Sequence, residues 1–401
     1  MSRRDNIFPT YNPPAIDFVK GEGVWLTDKK GDRYLDFISG ISVNTLGHAH
    51  PGLVDALTAQ AGKLWHLSNM FDVPGQQELA AMYCGATFAD RVFFANSGSE
   101  AVELTIKSAR RYHFDRGDTK RIKVIGFDGS FHGRTYAALN ASGTKKYLEG
   151  FGPRLPGYVQ LPFGDHDALT AEMDDTVAAV IIEPVQGEGG LRPVPGQCLQ
   201  GLRKLCDEHG ALLIYDEVQC GAGRTGKLFA HQWFDNAEPD LMACAKGVGG
   251  GFPMGFTLAS EKVGSVMVPG THGSTYGGNA LAMAVGAKVF DYIGDEKFMA
   301  NLNEVAAEFE AGLLNMANQK YPDMIEGVRG KGLLIGFKLK VPNMEFRTIA
   351  RDQHHFLIGT AGDNVIRMAP ALNVTHEECK VALGKLDDVF AQMKRDGVKA
   401  G

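Results

Sequence analysis

The amino-acid sequence predicts an α/β fold, with a large domain around a mostly parallel central sheet and a smaller α+β domain. Its 401 residues are enough for two or three domains with a large core. From about residue 75 to about residue 290, short β-rich runs alternate with helical segments. Such alternation is typical of parallel strands with helices on both faces. After about residue 290, a long helical segment precedes short strands and a last helix, which predicts the smaller domain.

Hydrophobic periodicity assigns the elements in chain order. Residues 21–38 alternate apolar and polar side chains around a DKKGD turn and predict a β-hairpin, and residues 51–64 have helical spacing. The predicted strands of the large domain are 91–96, 122–127, 178–184, 211–217 and 241–246, and the predicted helices include 100–114, 196–210 and 298–320. We expect three parts: an N-terminal segment 1–60 that joins the small domain, a large domain 61–290, and a small C-terminal domain 291–401.

Composition and charge exclude several classes of protein. Lys and Arg number 41 against 47 Asp and Glu, a net charge of −6 without a basic run, which disfavours nucleic acid and anionic membranes as partners. No apolar run reaches the ~18 residues of a membrane span, and no apolar stretch follows the early Arg pair as a signal peptide requires. Six cysteines without a C-x-x-C spacing predict free thiols and a cytoplasmic protein. The 50 glycines, against a usual share of ~7%, favour an enzyme.

Two glycine motifs and two histidine pairs are predicted not to bind ligands. The segment GAGRTG matches G-x-G-x-x-G, but the KLFAHQWF sequence after it is too short and aromatic for the helix of a dinucleotide site. The overlapping G-x-x-x-x-G-K pattern fails as a phosphate loop because Leu228 stands where Ser or Thr must bind magnesium. His48 with His50, and His354 with His355, lack a third ligand at a suitable spacing, so no metal site is predicted.

Two predicted strand ends carry candidate ligand-binding residues. In the segment NSGSEA, Ser97, Gly98 and Ser99 offer N–H groups and hydroxyls at a helix N-terminus, where a phosphate is favoured. The alternative there is an ordinary N-cap followed by Glu. In ALLIYDEVQ, Asp216 ends the strand and Gln219 lies just beyond it. This carboxylate is either a helix cap or a partner for a cationic ligand atom.

Lys246 ends another apolar run, LMACAK, and a glycine-rich segment follows. A lysine is rarely buried without a reason, and a desolvated lysine has a depressed pKa that makes it a nucleophile for carbonyls. The alternative is an exposed lysine at a strand end. The segment FHGRT adds Phe131 as a stacking aromatic, with His132 and Arg134 as contacts for an anion or a ring.

Together these residues match the needs of one cofactor. Pyridoxal phosphate requires a lysine amine, an acidic partner for its pyridinium nitrogen and an anchor for its phosphate. The aspartate keeps that nitrogen protonated, so that the ring can take up the electrons of a substrate carbanion. The combination of residues therefore predicts pyridoxal phosphate more strongly than any of them does alone.

The chain resembles the class III (ω-type) aminotransferases of pyridoxal-phosphate fold type I nearly from end to end. The similarity is carried by GEGVWLTDKKGDRYLDFISGISVNTLGHAHP, FFANSGSEA, FHGRT, IIEPVQGEGG, LLIYDEVQCGAGRTG, AKGVGGGFPMG, HGSTYGGN and VRGKGLLIG. The spacing between Asp216 and Lys246 fits the family as well. The resemblance implies the fold of that family, pyridoxal phosphate as cofactor, and a homodimer with its active sites at the interface.

The resemblance also implies a role for each matching residue. Lys246 would bind the cofactor and move a proton between substrate and cofactor carbons, and Asp216 would pair with the ring nitrogen. The other cofactor contacts would be Ser97, Gly98 and Ser99 at the phosphate, Phe131 on the ring face, His132, Gln219 at the ring hydroxyl, and Thr275 from a partner subunit. The substrate contacts would be Arg367 and Arg134, each for a carboxylate, with Glu188 as a gate, Ser274 and Tyr11, and Glu183 would lie near the site.

A gate answers a physical need of such an enzyme. Arg367 must bind the α-carboxylate of glutamate in one half-reaction, but in the other it faces an uncharged chain beside the reacting amine. An unpaired buried arginine is costly. Glu188 could pair with it and swing away when glutamate arrives, and a structural salt bridge is the alternative.

The activity that the resemblance implies is a ping-pong transamination. N2-acetyl-L-ornithine would give its terminal amine to 2-oxoglutarate, yielding N-acetyl-glutamate 5-semialdehyde and glutamate, a step toward arginine. Ile41 stands where ornithine-specific relatives tend to carry an aromatic, which favours the acylated substrate. Succinylornithine, succinyl-diaminopimelate, ornithine and 4-aminobutyrate remain alternatives. A glutamate-semialdehyde-type aminomutase and a non-catalytic regulator that binds the cofactor are rivals from other classes.

Overall fold

The computed structural model describes residues 6–398. Its strands are β1 (Phe18–Glu22), β2 (Trp25–Asp28), β3 (Arg33–Asp36), β4 (Arg91–Ala95), β5 (Lys123–Phe127), β6 (Tyr158–Leu161), β7 (Val177–Ile182), β8 (Val185–Gln186), β9 (Arg192–Pro193), β10 (Leu212–Asp216), β11 (Leu241–Ala245), β12 (Gly255–Ala259), β13 (Ile325–Lys331), β14 (Leu334–Leu339), β15 (Phe356–Leu357), β16 (Gly359–Ala361) and β17 (Val365–Met368). Its α-helices are α1 (Ser39–Ser42), α2 (Pro51–Ala61), α3 (Gln76–Ala86), α4 (Gly98–Asp115), α5 (Tyr136–Ala141), α6 (His166–Glu172), α7 (Gly196–His209), α8 (Glu261–Gly264), α9 (Ala280–Ile293), α10 (Glu296–Asn315), α11 (Asn343–His354) and α12 (His376–Arg395). Within residues 6–398, none of these helices is long and apolar enough to cross a membrane.

Seven strands form the central sheet, in the order β4–β12–β11–β10–β7–β5–β6. Strand β12 runs antiparallel to both of its neighbours, and the remaining pairs are parallel. Strands β7, β10 and β11 are buried at every residue, and alternate residues belong to two different apolar clusters. Both faces of the sheet are therefore covered, which explains why these strands are continuous apolar runs. The predicted α/β fold with a mostly parallel sheet is confirmed.

The elements predicted from periodicity are present with small shifts of their ends. The five predicted strands correspond to β4, β5, β7, β10 and β11, and the helices predicted at 51–64, 100–114 and 196–210 correspond to α2, α4 and α7. The helix predicted at 298–320 is α10 followed by a π-helical turn over Met316–Lys320. Two strands of the central sheet, β6 and β12, were not predicted, because β6 has only four residues and the place of β12 is decided by its antiparallel pairing with β4 and β11.

Two four-stranded sheets lie outside the central one. The predicted hairpin is formed by β2 and β3, with β1 as a third strand, and β15 from the C-terminal part pairs in parallel with β3. The other sheet has the order β13–β14–β17–β16 and is antiparallel, and α10, α11 and α12 pack together beside it. The pairing of β3 with β15 supports the proposal that residues 1–60 join the small domain. The bounds of the three parts stay a prediction.

Candidate active site

A cavity of about 360 Å³ lies at the edge of the central sheet where β4, β10 and β11 end. Parallel strands bring their carboxyl ends together at one edge, and α/β sheets bind ligands there. The predicted site residues that line this cavity are Ser97, Gly98, Ser99, Phe131, His132, Glu188, Asp216, Gln219 and Lys246. The topology thus brings together segments that are far apart in the sequence.

Helix α4 presents its N-terminus to the cavity. Ser97 is the N-cap, and its Oγ accepts a hydrogen bond from the Glu100 N–H at 3.3 Å. The N–H groups of Gly98 and Ser99 lie in the first turn, where the helix offers them no carbonyl partner. A Cβ at Gly98 would lie 2.7 Å from Val218 Cγ1, so the close packing at this helix end requires glycine. The result is an open set of donors suited to an anion.

Asp216 and His132 form a buried pair at the cavity. His132 Nδ1 lies 2.8 Å from Asp216 Oδ2, and Asp216 Oδ1 accepts a hydrogen bond from the Val218 N–H at 3.0 Å. Burial opposes a charged imidazole, yet the hydrogen bond and charge of Asp216 raise the pKa of His132 above its ordinary value. Its other nitrogen, Nε2, is buried without a hydrogen-bond partner among the residues that the structure describes. The sequence did not predict this pairing.

Lys246 directly follows β11 and has a positive φ of 50°. This conformation is uncommon for a residue with a side chain, and strained backbone of this kind clusters at functional sites. Its side chain is partly buried, and within residues 6–398 it makes neither a hydrogen bond nor an ion pair. Burial, followed by the charge of Arg367, lowers the pKa of Lys246 from 10.5 to about 8. At neutral pH part of the population therefore carries an uncharged, nucleophilic amine.

A second buried carboxyl group, Glu183, lines the same cavity. Its oxygens accept hydrogen bonds from the Phe131 N–H at 3.1 Å and the Gly187 N–H at 3.3 Å. Burial raises the pKa of Glu183 to about 7, with a smaller contribution in the same direction from Asp216. The sequence placed Glu183 near the site without giving it a function. Its position just after strand β7 was the available signal.

Arg367, on β17, forms an ion pair with Glu188. Its Nη1 also donates a hydrogen bond to Gln219 Oε1 at 3.0 Å. Burial alone would raise the pKa of Glu188, but the charge of Arg367 lowers it below its ordinary value. A Cβ at Gly187 would lie 1.8 Å from Gln219 Oε1, so glycine lets the loop that carries Glu188 pass close to Gln219. The small sheet thus places a cation against Glu188 and Gln219, two residues of the cavity wall, although Arg367 itself does not line the cavity.

The remaining predicted substrate and cofactor residues lie outside this cavity. Arg134 is exposed and follows three residues that line it. Ser274 and Thr275 line a separate cavity of about 850 Å³. The two cavities are linked because Asn96, in the wall of the first, donates a hydrogen bond to Ser274 Oγ at 3.3 Å. Tyr11 is 80% exposed and lines neither cavity.

Side chains that the sequence did not single out complete the wall. They are Val43, Asn96, Val218, Ala245, Phe252, Pro253 and Met254. Asn96 and Ala245 each precede a predicted site residue in the chain, and Val218 lies between Asp216 and Gln219. Adjacency to a motif was therefore the signal that could have found them, since none of them carries an ionisable group.

The GAGRTG segment and His48 make contacts within the fold. The GAGRTG segment forms consecutive turns rather than the start of a helix, and its buried Arg224 donates to the carbonyls of Leu333 and Pro370. His48 Nε2 lies 2.8 Å from Asp36 Oδ2. In the described part of the chain, no group of three or more His, Cys, Asp or Glu side chains is arranged to hold a metal ion. All six cysteines are free thiols.

Comparisons with known proteins agree with this arrangement. The profile of the family Aminotransferase class-III matches residues 8–390. The chain is 54% identical over 383 residues to acetylornithine aminotransferase 2 from Caulobacter vibrioides. This match spans 95% of this chain and 94% of that relative. A solved ornithine aminotransferase from Toxoplasma gondii has a TM-score of 0.91 at 31% identity, covering 98% of this chain and 93% of that one. A solved N-acetylornithine aminotransferase from Stenotrophomonas maltophilia has a TM-score of 0.84 at 36% identity, and the match covers 96% of this chain and 98% of that one. This chain belongs to the class III aminotransferase family.

Proposed function

We propose that this protein is a pyridoxal-phosphate-dependent aminotransferase that moves the terminal amine of N2-acetyl-L-ornithine to 2-oxoglutarate. The products are N-acetyl-glutamate 5-semialdehyde and glutamate, so the reaction serves arginine biosynthesis. The observation that carries this proposal is the ion pair of Arg367 with Glu188, a residue that lines the same cavity as Lys246. The cavity then contains a reactive amine, and a carboxylate of its wall neutralises an arginine that could bind a substrate carboxylate.

The residues of the cavity fit pyridoxal phosphate. The N-terminus of α4, with Ser97, Gly98 and Ser99, would hold the phosphate through its free N–H groups. Asp216 is a buried carboxylate that can face a ring nitrogen, and Lys246 supplies the amine. When bound, pyridoxal phosphate supplies an electron-poor ring that takes up the electron pair left when a proton leaves the substrate carbon.

The side chains of the cavity would position the cofactor ring and move the proton. Asp216 is a buried carboxylate in the cavity wall, and its 2.8 Å contact with His132 Nδ1 would hold its orientation. Phe131 lines the wall beside them and supplies an apolar face for an aromatic ring. The Lys246 amine, with its pKa near 8, would take the proton from the amine-bearing carbon of the substrate and deliver it to a carbon of the cofactor.

Two arginines account for the carboxylates of the two substrates. Arg367 would bind the α-carboxylate of glutamate after Glu188 moves away, and Arg134 would bind a carboxylate farther from the reacting amine. With N2-acetyl-L-ornithine, the chain beside the reacting amine carries no charge, so Glu188 would stay on Arg367 and keep it neutralised. Relatives named for acetylornithine, at up to 54% identity over nearly the whole chain, support the acylated substrate.

The protein would act as a homodimer, with Thr275 reaching the cavity of a second copy. Support comes from a patch of exposed apolar side chains near the loop that carries Thr275. These are Trp65, Met70, Phe71 and Tyr276, each more than 60% exposed. Asn69 connects the segment of Trp65, Met70 and Phe71 to the loop of Tyr276, because its Nδ2 donates a hydrogen bond to the carbonyl of Ser274 at 3.0 Å. Burial in an interface would remove this apolar surface from water. We place the enzyme in the cytoplasm, where its six free thiols would stay reduced.

Single-turnover spectroscopy of the cofactor tests the proposed reaction. The holoenzyme should be converted to its amine form by N2-acetyl-L-ornithine, and 2-oxoglutarate should restore it. Succinylornithine, succinyl-diaminopimelate, ornithine and 4-aminobutyrate complete the panel, and a faster conversion by any of them would reassign the substrate. Turnover without a keto acid would point to an aminomutase. Borohydride should fix the cofactor to the peptide that contains Lys246, and fixation to another peptide would reject Lys246 as the anchor.

A further inference from the structure

We propose that Tyr147 is a positioning residue, whose ring holds the guanidinium of Arg134 so that its N–H groups stay free for a substrate carboxylate. This inference deepens the proposed function and rests on the carboxylate role that it gives to Arg134. Neither the sequence motifs nor the cavity wall includes Tyr147.

Three side chains form the unit that supports this proposal. The guanidinium carbon of Arg134 lies 3.9 Å from the centroid of the Tyr147 ring and 5.5 Å from that of the Phe131 ring. The two rings meet edge to face, with centroids 5.6 Å apart and planes at 88°. Phe131 also lines the cavity, so the unit connects the position of Arg134 to the candidate active site.

Stacking on rings uses a different part of a guanidinium from ion pairing. An aromatic ring contacts the flat face, whereas a carboxylate binds the N–H donors at the edge. Arg134 has no carboxylate partner among residues 6–398, so its edge donors stay available. The donors of Arg367 are instead partly occupied, because its Nη1 already donates hydrogen bonds to Glu188 and Gln219. Aromatic rings therefore orient Arg134. A carboxylate that can move away neutralises Arg367.

The backbone leaves the side chain of Arg134 in need of such support. The Arg134 N–H donates to Ser99 Oγ at 3.2 Å, which fixes the main chain beside the α4 N-terminus. The side chain itself is exposed and has several rotatable bonds. The Tyr147 ring restricts that freedom before the substrate arrives, and preorganisation of this kind improves affinity. The Tyr147 hydroxyl makes no hydrogen bond with the described residues, so the ring and not the hydroxyl should matter.

The test compares two amine donors that differ only in the carboxylate. N2-acetyl-L-ornithine has it, and N-acetylputrescine has the same amine and acetyl group without it. In single-turnover experiments, Tyr147→Leu should raise the half-saturating concentration of acetylornithine about fivefold to tenfold, the size of a cation–π contact. Its limiting rate at saturation, and the reaction of N-acetylputrescine, should match those of the wild type. Tyr147→Phe should behave as the wild type with both donors.

A binding measurement and a control variant complete the design. N2-acetyl-L-norvaline keeps the carboxylate but lacks the reacting amine, and calorimetry should show weaker binding to Tyr147→Leu by the same factor. The control is Tyr112→Leu, which removes another arginine–tyrosine stack, with Arg116 at 5.3 Å, away from the cavity. Equal losses with both donors, an unchanged affinity, or a Tyr147→Phe variant as weak as Tyr147→Leu would overturn the proposal. A wild type that fails to react with acetylornithine would instead reject the proposed function.

Discussion

The Nη1 atom of Arg367 serves two acceptors at once, the carboxylate of Glu188 and the Oε1 atom of Gln219. Arg367 is 7% exposed, so its charge is largely withdrawn from water and depends on these neighbours. The side chain of Glu188 is 30% exposed, which leaves one of the two partners with room to move. Arg367 thus has one partly exposed partner, Glu188, and one buried partner, Gln219, and a substrate-dependent mask would need the exposed one to leave.

Replacing Glu188 by glutamine should therefore separate the two half-reactions. With Glu188→Gln, glutamate no longer has to displace a carboxylate from Arg367, so its half-saturating concentration should fall. The acetylornithine half-reaction should weaken by about tenfold, ~1.4 kcal/mol, because Arg367 then faces an uncharged substrate without a counter-charge. Single-turnover spectroscopy measures each half-reaction separately. Glu261→Gln, which removes an exposed ion pair with Arg91 outside the cavity wall, is the control and should alter neither. Equal losses in both half-reactions would leave Glu188 with a structural function only.

Asp216 and Glu217 offer a matched pair of buried carboxylates that differ in what they face. Each pairs with a histidine, Asp216 with His132 at 2.8 Å and Glu217 with His231 at 2.9 Å, but only the first pair lines the cavity. Asp216→Asn should lower the turnover of the holoenzyme by a thousandfold or more, roughly 1.4 kcal/mol of barrier per tenfold, because a neutral amide cannot hold the pyridinium proton.

Glu217→Gln should instead lower the melting temperature and leave turnover per folded molecule close to the wild type. The oxygens of Glu217 also accept hydrogen bonds from the N–H groups of Ala230 at 2.6 Å and His231 at 2.9 Å. The substitution should therefore lower the stability of the folded protein rather than its catalytic rate. Steady-state kinetics and thermal unfolding of both variants check the pair. Near-normal turnover in Asp216→Asn would reject its function as partner of the ring nitrogen.

The lowered pKa of Lys246 predicts a pH-dependent stability difference in the cofactor-free protein. Between about pH 8 and pH 10.5, the folded protein binds fewer protons at Lys246 than the unfolded chain does. Lys246 therefore lowers the stability of the folded state below about pH 8, and this loss of stability disappears as the pH rises toward 10.5. Lys246→Met should therefore have a larger free energy of unfolding than the wild type at pH 7. The difference should shrink toward pH 10, as measured by urea unfolding. Lys204→Met, whose lysine side chain is 78% exposed, is the control and should show no such trend. A constant difference across this range would contradict the buried, partly neutral amine.

The exposed apolar patch predicts the behaviour of the proposed dimer. Trp65→Asp should convert the protein to a monomer in sedimentation experiments and lower its affinity for cofactor, because Thr275 would no longer reach a second cavity. Phe114→Asp, at another exposed aromatic at the far end of α4, should leave the assembly unchanged. A Trp65→Asp protein that stays dimeric and keeps its cofactor would place the interface elsewhere.

Residues at strand ends could be predicted from the sequence because the relevant physics is local. Strand β10 is a run of buried apolar residues that ends at Asp216, and β11 likewise ends just before Lys246. Both patterns identify a strand and its polar end without knowledge of any neighbour. The topology of parallel strands then places the two ends at one edge of the sheet.

What could not be predicted depends on contacts between distant segments. His132 and Asp216 are 84 residues apart, and no local pattern assigns an imidazole to that carboxylate. The pKa of Glu183 depends on burial, which only the assembled loops create. Strand β12 was missed for the same reason, since its antiparallel place between β4 and β11 is decided by its neighbours.

The pairing of β3 with β15 has a consequence for the order in which the protein can fold. Leu35 lies opposite Phe356, so one edge of the N-terminal sheet stays without its partner until the chain through Phe356 has left the ribosome. The helices and strands between them can form earlier, but this pairing waits for β15, because its two strands are far apart in the chain. Until then, the buried side chain of Phe37 lacks its contact with Phe356. The late strand β15, and not the first strand, therefore sets when the N-terminal sheet can reach its native state.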